Sequence, residues 1–183
     1  MIEGKTVLLG ICACTPAYKS IDLIKKLKHA GATIKAAVTE NGTNMVPIPV
    51  IERITKNPVS VEQFGGEFVW DPDKKAWGKG GDVLVIAPCT ANMLGKLANG
   101  ICDDFISTNT LSFPGPKVIA VNMNPRLWEN PAVQRNVAQL KEDGYHFVDN
   151  DNPEKPSKLP SLDAIFKVID AVTVETMEEF YSE

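Results

Sequence analysis

Residues 82–110 read DVLVIAPCTANMLGKLANGICDDFISTNT. The stretch opens as an apolar strand, Val83 to Ile86, breaks at Ala87-Pro88 into a loop of small polar residues, and restarts as a helix carrying Met93, Leu94, Leu97 and Ala98. In an open α/β sheet, ligands gather at the carboxyl edge of the strands, where free helix amides attract anions and carbonyl oxygens. This order of strand, loop and helix N-terminus therefore predicts a ligand site.

The residues on either side repeat the pattern. Thr6 to Ile11 is apolar on both faces, as a parallel strand covered by helices must be. The loop Gly10 to Lys19 follows, and its Pro16 suits the first turn of a helix that buries Ala17, Ile21, Ile24 and Leu27 and stops at Gly31. A second strand, Thr33 to Val38, leads through Thr39-Glu40-Asn41-Gly42 to a helix near Pro49 carrying Ile51 and Ile54. Between Asn57 and Gly81 the pattern weakens to turns around one apolar piece, Phe68-Val69-Trp70.

On the far side come a strand, Lys117 to Val121, and a helix with Asn130 as N-cap and Pro131 at N1, burying Val133, Val137 and Leu140. A short strand, Tyr145 to Val148, and a polar segment, Asp149 to Pro160, precede a closing helix striped with Leu162, Ile165, Phe166, Ile169, Val172 and Met177. There is no internal repeat. This alternation predicts an α/β fold of one domain spanning 1–183: a Rossmann-like (flavodoxin-like) parallel sheet flanked by helices. Right-handed crossovers then bring the loops after Ile11, Val38, Ile86 and Val121 to one rim.

Composition narrows the function. The chain has 183 residues, 44% hydrophobic and 23% charged, with a formal net charge of -4, as expected of one globular domain. No Lys/Arg cluster suits a nucleic-acid surface. No apolar run approaches the roughly 20 residues of a membrane span, and the residues from Met1 lead straight into a strand, so a cytoplasmic protein is expected. Cys12 and Cys14 have C-x-C spacing, not the paired C-x-x-C of a zinc site, and reduced thiols with no metal are the expectation for them and for Cys89 and Cys102.

The first loop stands where a phosphate loop would, yet it lacks G-x-G-x-x-G. Phosphate binding through the amides near Cys14 and Thr15 and a plain strand-to-helix turn both fit it. Gly78-Lys-Gly-Gly81 lacks the P-loop pattern and reads as a surface turn. Cys14 would be a nucleophile if a helix N-terminus lowered its pKa, but such a thiol needs a base. Both histidines, His29 and His146, lie far away in sequence and read as structural or exposed. Asn122 and Asn124, beside Met123, Arg126 and Trp128, read as a polar and aromatic pocket wall.

Pro88-Cys-Thr-Ala-Asn92 with Lys96-Leu-Ala-Asn-Gly-Ile-Cys-Asp103, and Asn122-Met-Asn with Leu127-Trp and Asn130-Pro, resemble two ordered motifs of the homo-oligomeric flavin-containing cysteine decarboxylases. The similarity covers about residues 5 to 148. It implies FMN as cofactor, with its phosphate on the first loop near Cys14, Thr39 donating a hydroxyl, its ring against Thr90, Ala91, Ser107 and Thr108, and Gly10, Thr15, Pro88, Cys89, Asn92 and Met123 among the cofactor-binding residues. It also implies that Asn124, with Met123, faces a carboxylate on a small-molecule or peptide substrate with a cysteine-like end. Assembly into a homo-oligomer, a trimer or a dodecamer, follows from the same resemblance. The family's active-site histidine falls near Lys74, and since no histidine stands between His29 and His146, Lys74, Asp71 and Asp73 become the candidate acid-base groups. The cysteine-bearing flap of the phosphopantothenoylcysteine decarboxylases aligns with Asp149 to Pro160, which has neither cysteine nor glycine. A flavin-binding protein without decarboxylase activity, serving as partner subunit, electron carrier or flavin store, is the alternative.

Overall fold

The structure, a computed structural model, describes residues 2–63 and 80–180, from 174 onward as backbone only. Lys74, Asp71, Asp73 and the piece Phe68-Val69-Trp70 lie outside the described residues.

Five parallel strands, β1 (Thr6–Ile11), β2 (Thr33–Val38), β3 (Val83–Cys89), β4 (Lys117–Val121) and β5 (His146–Phe147), pair in the order β2-β1-β3-β4-β5. Their continuous apolar runs conceal a period of two. Val7, Leu9 and Ile11 enter one core with Val83, Val85, Val118 and Ala120. Leu8 enters the opposite core with Leu84, Ile86, Ile119 and Val121. The first core is closed by α1 (Ser20–His29), α2 (Ile48–Thr55) and α7 (Leu162–Phe180), the second by α3 (Ala91–Ala98), α4 (Phe105–Ser112) and α6 (Pro131–Glu142). Burial on both faces is why these strands read as unbroken hydrophobic runs.

Several boundaries differ from expectation. β3 does not stop at Ala87-Pro88; it continues to Cys89 through a register shift in which Ile86 pairs with Ile119 but Cys89 with Val121. The Ala87–Pro88 peptide is cis. The extra residue reverses the strand's parity: Ala87 lies in the first core with Val85, whereas Cys89 lies in the second. Hydrogen bonds from Cys12 N to Pro88 O (3.1 Å) and from Asn122 N to Cys89 O (2.8 Å) hold the segment in the sheet although Pro88 has no N–H to give.

In α1 the buried positions are Ser20, Leu23, Ile24 and Leu27, and Ile21 is only partly buried. Residues 105–112 form a separate helix, α4, which a helical period does not announce. Asp104 starts it with a capping box, accepting from Ser107 N while Asp104 N donates to the Ser107 hydroxyl. Asn130 caps α6 as its sequence predicts, accepting from Ala132 N, with Pro131 in the first turn.

Candidate functional site

The order β2-β1-β3-β4-β5 reverses direction between β1 and β3, and ligands of open α/β sheets sit in the crevice above such a point. A cavity of about 800 Å³ opens there, a size that suits a cofactor or small ligand. Three strand ends and one later segment build its walls.

From β1 come Cys14 and Thr15, which lead into a 3-10 helix, Thr15–Lys19, with Pro16 in its first turn; Tyr18 and Lys19 complete this wall. From β3 comes Thr90, the N-cap of α3, whose hydroxyl accepts from Met93 N at 3.4 Å. Ala91 and Asn92 follow it on the cavity wall, and first-turn amides have no acceptor within their own helix. From β4 come Asn122, Met123 and Asn124, then Leu127 on α5 (Pro125–Trp128). Asn124 caps α5 by accepting from Arg126 N at 2.9 Å. Its carboxamide oxygen is thereby engaged, so the NH2 end is the one offered to an acceptor.

The fourth wall comes from the segment after β5. Leu159 N donates to Asn122 Oδ1 (3.1 Å), Lys158 Nζ to Met123 O (3.2 Å), and Met123 N to Ser157 O (2.8 Å). Residues 157–159 are thus strapped onto the Asn122-Met123-Asn124 loop. Asn122 also hydrogen-bonds the Cys14 thiol, joining three loops through one side chain.

Among the described residues, the lysines Lys19 and Lys158 line the cavity and no carboxylate does, which favours an anionic ligand. Cys14 does not have the lowered pKa of a nucleophile. Burial and the neighbouring Cys12 thiol push it up to about 11, against the opposing hydrogen bonds of Asn122 and the Ala17 amide. The 3-10 turn that follows is too short to compensate. Burial and a hydrogen bond with Cys12 likewise push the Cys89 thiol well above its ordinary value. All four cysteines are free.

Of the candidate site residues read from the sequence, Cys14, Thr15, Thr90, Ala91, Asn92, Asn122, Met123 and Asn124 line this cavity. The other described ones do not. Pro88 and Cys89 are buried in the register shift of β3, with the Cys89 side chain turned into the second core. Gly10, Thr39, Ser107 and Thr108 are not on the cavity wall. A Cβ on Gly10 would stand 3.0 Å from Ile106 Cγ2 of α4, and Thr39 caps the turn Glu40–Asn44 by accepting from Gly42 N (3.2 Å). Ser107 is fully buried in its capping box, and Thr108 Oγ1 accepts from Gln63 Nε2 at 3.0 Å. The loop after Val38 shares the rim, since Thr39 N donates to Ile11 O (3.0 Å), but it does not reach the cavity.

Arg126 and Trp128 do not line the cavity; Leu127 takes that face of the one-turn helix, and Trp128 packs against the second core. Lys19, Lys158 and Leu159 also line the cavity, and no sequence motif marks them as site residues. Lys158 and Leu159 belong to a segment without periodicity, and only the crossing of β5 brings them to this edge.

Sheet order and site together define an open α/β protein with a lysine-lined cavity above its strand ends. The chain belongs to the Flavoprotein family, which matches residues 1–174. It is 34% identical over 152 residues to the coenzyme A biosynthesis bifunctional protein CoaBC of Bacillus subtilis (strain 168), covering 81% of this chain and 37% of that protein. The chain therefore spans little more than a third of that relative's length. It is 32% identical over 146 residues to the probable phosphopantothenoylcysteine decarboxylase of Streptococcus mutans serotype c, covering 79% of this chain and 82% of the relative. The crystal structure of the FMN-dependent cysteine decarboxylase SpaF superposes with a TM-score of 0.82 at 30% identity, covering 96% of this chain and 98% of the other.

Proposed function

We propose that this chain binds FMN and carries out the oxidative decarboxylation of a small molecule or peptide ending in a cysteine-like carboxylate. The observation that carries the reading is the cavity itself. Its walls include the two stretches, Thr90-Ala91-Asn92 and Asn122-Met123-Asn124, that resemble the cysteine decarboxylase motifs. Similarity to SpaF along nearly the whole chain supports the same class.

The residues present fit such a cofactor. Two ammonium groups, the Thr90 hydroxyl and first-turn amides of α3 surround a space of about 800 Å³. When bound, FMN supplies the two-electron oxidant for the substrate thiol, a step that precedes loss of CO2. The chain's part is to hold and orient. The NH2 of Asn124 donates to the carboxylate, Lys19 and Lys158 balance its charge, and Met123 and Leu127 form the apolar surface beneath the thiol-bearing end. The acid-base role is assigned to Lys74, with Asp71 or Asp73 as substitutes, a contribution commonly of about 100- to 10,000-fold.

The reading includes a cytoplasmic protein assembled as a homo-oligomer, a trimer or dodecamer. Tyr18 (55% exposed) and Leu127 (49% exposed) at the cavity mouth suit burial against a second copy. Among the described residues no helix is long and apolar enough to cross a membrane.

The test is to purify the protein, record its flavin spectrum, and add peptides ending in cysteine or phosphopantothenoylcysteine while following CO2 loss by mass. Flavin uptake with CO2 loss is expected. Flavin uptake without any mass change would leave the non-decarboxylating flavin protein as the correct reading, and a protein that takes up no FMN would overturn both.

A further inference from the structure

Three of the four cysteines gather where β1 gives way to its loop and β3 passes its register shift, and the proposed reaction makes no use of Cys12 or Cys89. Cys12 N donates to Pro88 O at 3.1 Å, which brings Cys12 alongside the Pro88–Cys89 segment across the β1–β3 boundary. Both side chains turn into the second core, Cys12 1% and Cys89 0% exposed, and their thiols are hydrogen-bonded to each other. Neighbouring strands run about 4.8 Å apart, inside the window of about 4.4–6.8 Å between Cα atoms that a disulfide spans. Cys14 is near enough to both thiols to feel their charge, and it alone of the three lines the cavity.

Cys89 is tied directly to the cavity wall. Its thiol donates to Thr90 O at 3.8 Å, and Thr90 is the N-cap of α3 whose hydroxyl accepts from Met93 N. A bond between Cys12 and Cys89 removes that donor and draws the ends of β1 and β3 together. The residues that must then shift are the next ones along each chain, Cys14 and Thr90, and both line the cavity.

Resting on the flavin reading for its last step, we propose that Cys12 and Cys89 are a redox pair that closes by exchange with a small-molecule disulfide entering the flavin-free cavity, and that closure weakens FMN binding. Cys14 is the receiving thiol. As thiolate it attacks the incoming disulfide, forms a mixed disulfide and releases one small thiol. The Cys12 thiolate attacks the Cys14 sulfur and releases the second; Cys89 then attacks the Cys12 sulfur, and Cys14 leaves and regains a proton. Two protein thiols are oxidised, one small disulfide is reduced, and the protons of Cys12 and Cys89 end on the two small thiols. Burial holds Cys14 protonated, so entry is slow and confined to the cavity side.

Flavin-free protein is incubated with oxidised glutathione, and its disulfides are mapped by mass spectrometry of peptides. A linked pair containing Cys12 and Cys89, with two hydrogens lost and no glutathione retained, is expected. Glutathione adducts alone, or a bond from Cys12 to Cys14 in its place, overturn the pair. In the oxidised protein the backbone amide resonances of Thr90 and Met93 should move and return with dithiothreitol; unmoved resonances refute the link to the cavity. FMN titration is the last arm. Affinity about tenfold lower after oxidation is expected, the worth of one hydrogen bond lost from the wall, with full recovery on reduction. Equal affinity in the two states overturns the switch, as does a loss that persists in Cys12→Ala, which cannot close the pair. A reduced protein that takes up no FMN sinks the flavin reading and with it the effect on FMN, while the mapping and the resonances still decide the pair.

Discussion

Asn122 and Asn124 sit two residues apart and do different work. Asn122 holds Leu159 N and the Cys14 thiol, so its side chain fixes the relative position of three loops. Asn124 spends its oxygen on Arg126 N and keeps its NH2 for the cavity. Serine at 124 keeps a capping oxygen but removes those two donors. Asn124→Ser should therefore leave the melting temperature nearly unchanged while kcat/KM for decarboxylation falls about 10- to 100-fold, the worth of a hydrogen bond to a charged group. Unchanged turnover in that variant would remove Asn124 from the substrate contact. Cys14 gives a prediction of opposite character. With its thiol held near 11 by burial, it stays protonated at pH 8, so iodoacetamide should label exposed Cys102 well before Cys14. The sign also applies to stability: a thiol raised in the folded state favours folding below the ordinary value of 9.0, and that contribution is lost as pH climbs through about 11.

At the level of elements, one ion cluster links α3 to α4. Lys96 Nζ meets Asp103 Oδ1 at 2.7 Å and Asp104 Oδ2 at 2.6 Å, with the Lys96 side chain only 17% exposed. Burial works against the charges of both Lys96 and Asp104. The hydrogen bonds and opposite charges win: Asp103 and Asp104 raise the lysine above its usual value, and Lys96 with the Ser107 hydrogen bonds lowers the Asp104 carboxyl below its own. The cluster's stabilisation is accordingly present above the ordinary carboxylate value and lost as pH falls through the lowered Asp104 value. At the alkaline end it is present below the ordinary lysine value and lost as pH rises through the raised Lys96 value. Asp104 also caps α4, so Asp104→Ala removes the cap, about 1 kcal/mol, and leaves Lys96 with one partner fewer, about 1 kcal/mol more. A fall in melting temperature of about 4–8 °C is expected in thermal unfolding near pH 7, shrinking in acid where the wild type has itself lost the pair. A constant difference at all pH values would mean that only the cap mattered. α4 matters to the rim because Ile106 packs against Gly10 and Ser107 and Thr108 follow it.

For the molecule as a whole, two cores on either face of one sheet set the stability. Leu84 and Ile86 of β3 are fully buried in the second core, between β1 and β4. Leu84→Ala should cost about 2–5 kcal/mol, a drop of roughly 5–15 °C in melting temperature, and flavin affinity should fall with it as the central strand loosens. A melting temperature within a degree of wild type would mean that the sheet centre repacks freely.

The strands, their parallel arrangement, the α6 cap at Asn130 and the motif residues on the cavity were legible in the residues themselves, because burial on two faces, capping and turn chemistry are local properties of sequence. The tertiary structure decided the rest. α4 escaped reading because its four buried or half-buried polar residues, Ser107, Thr108, Asn109 and Thr110, blur any apolar period, and only the Asp104 capping box and the packing on Gly10 make it a helix. The register shift at Pro88 turned Cys89 away from the cavity, a parity that depends on how β3 pairs with β4 rather than on the letters of the strand. Lys158 and Leu159, thirty-five and thirty-seven positions from the groups they bond on the β4 loop, reach the cavity only because β5 returns the chain to the carboxyl edge of the sheet. Such distant contacts are fixed by topology and hydrogen-bond satisfaction, which no local pattern encodes.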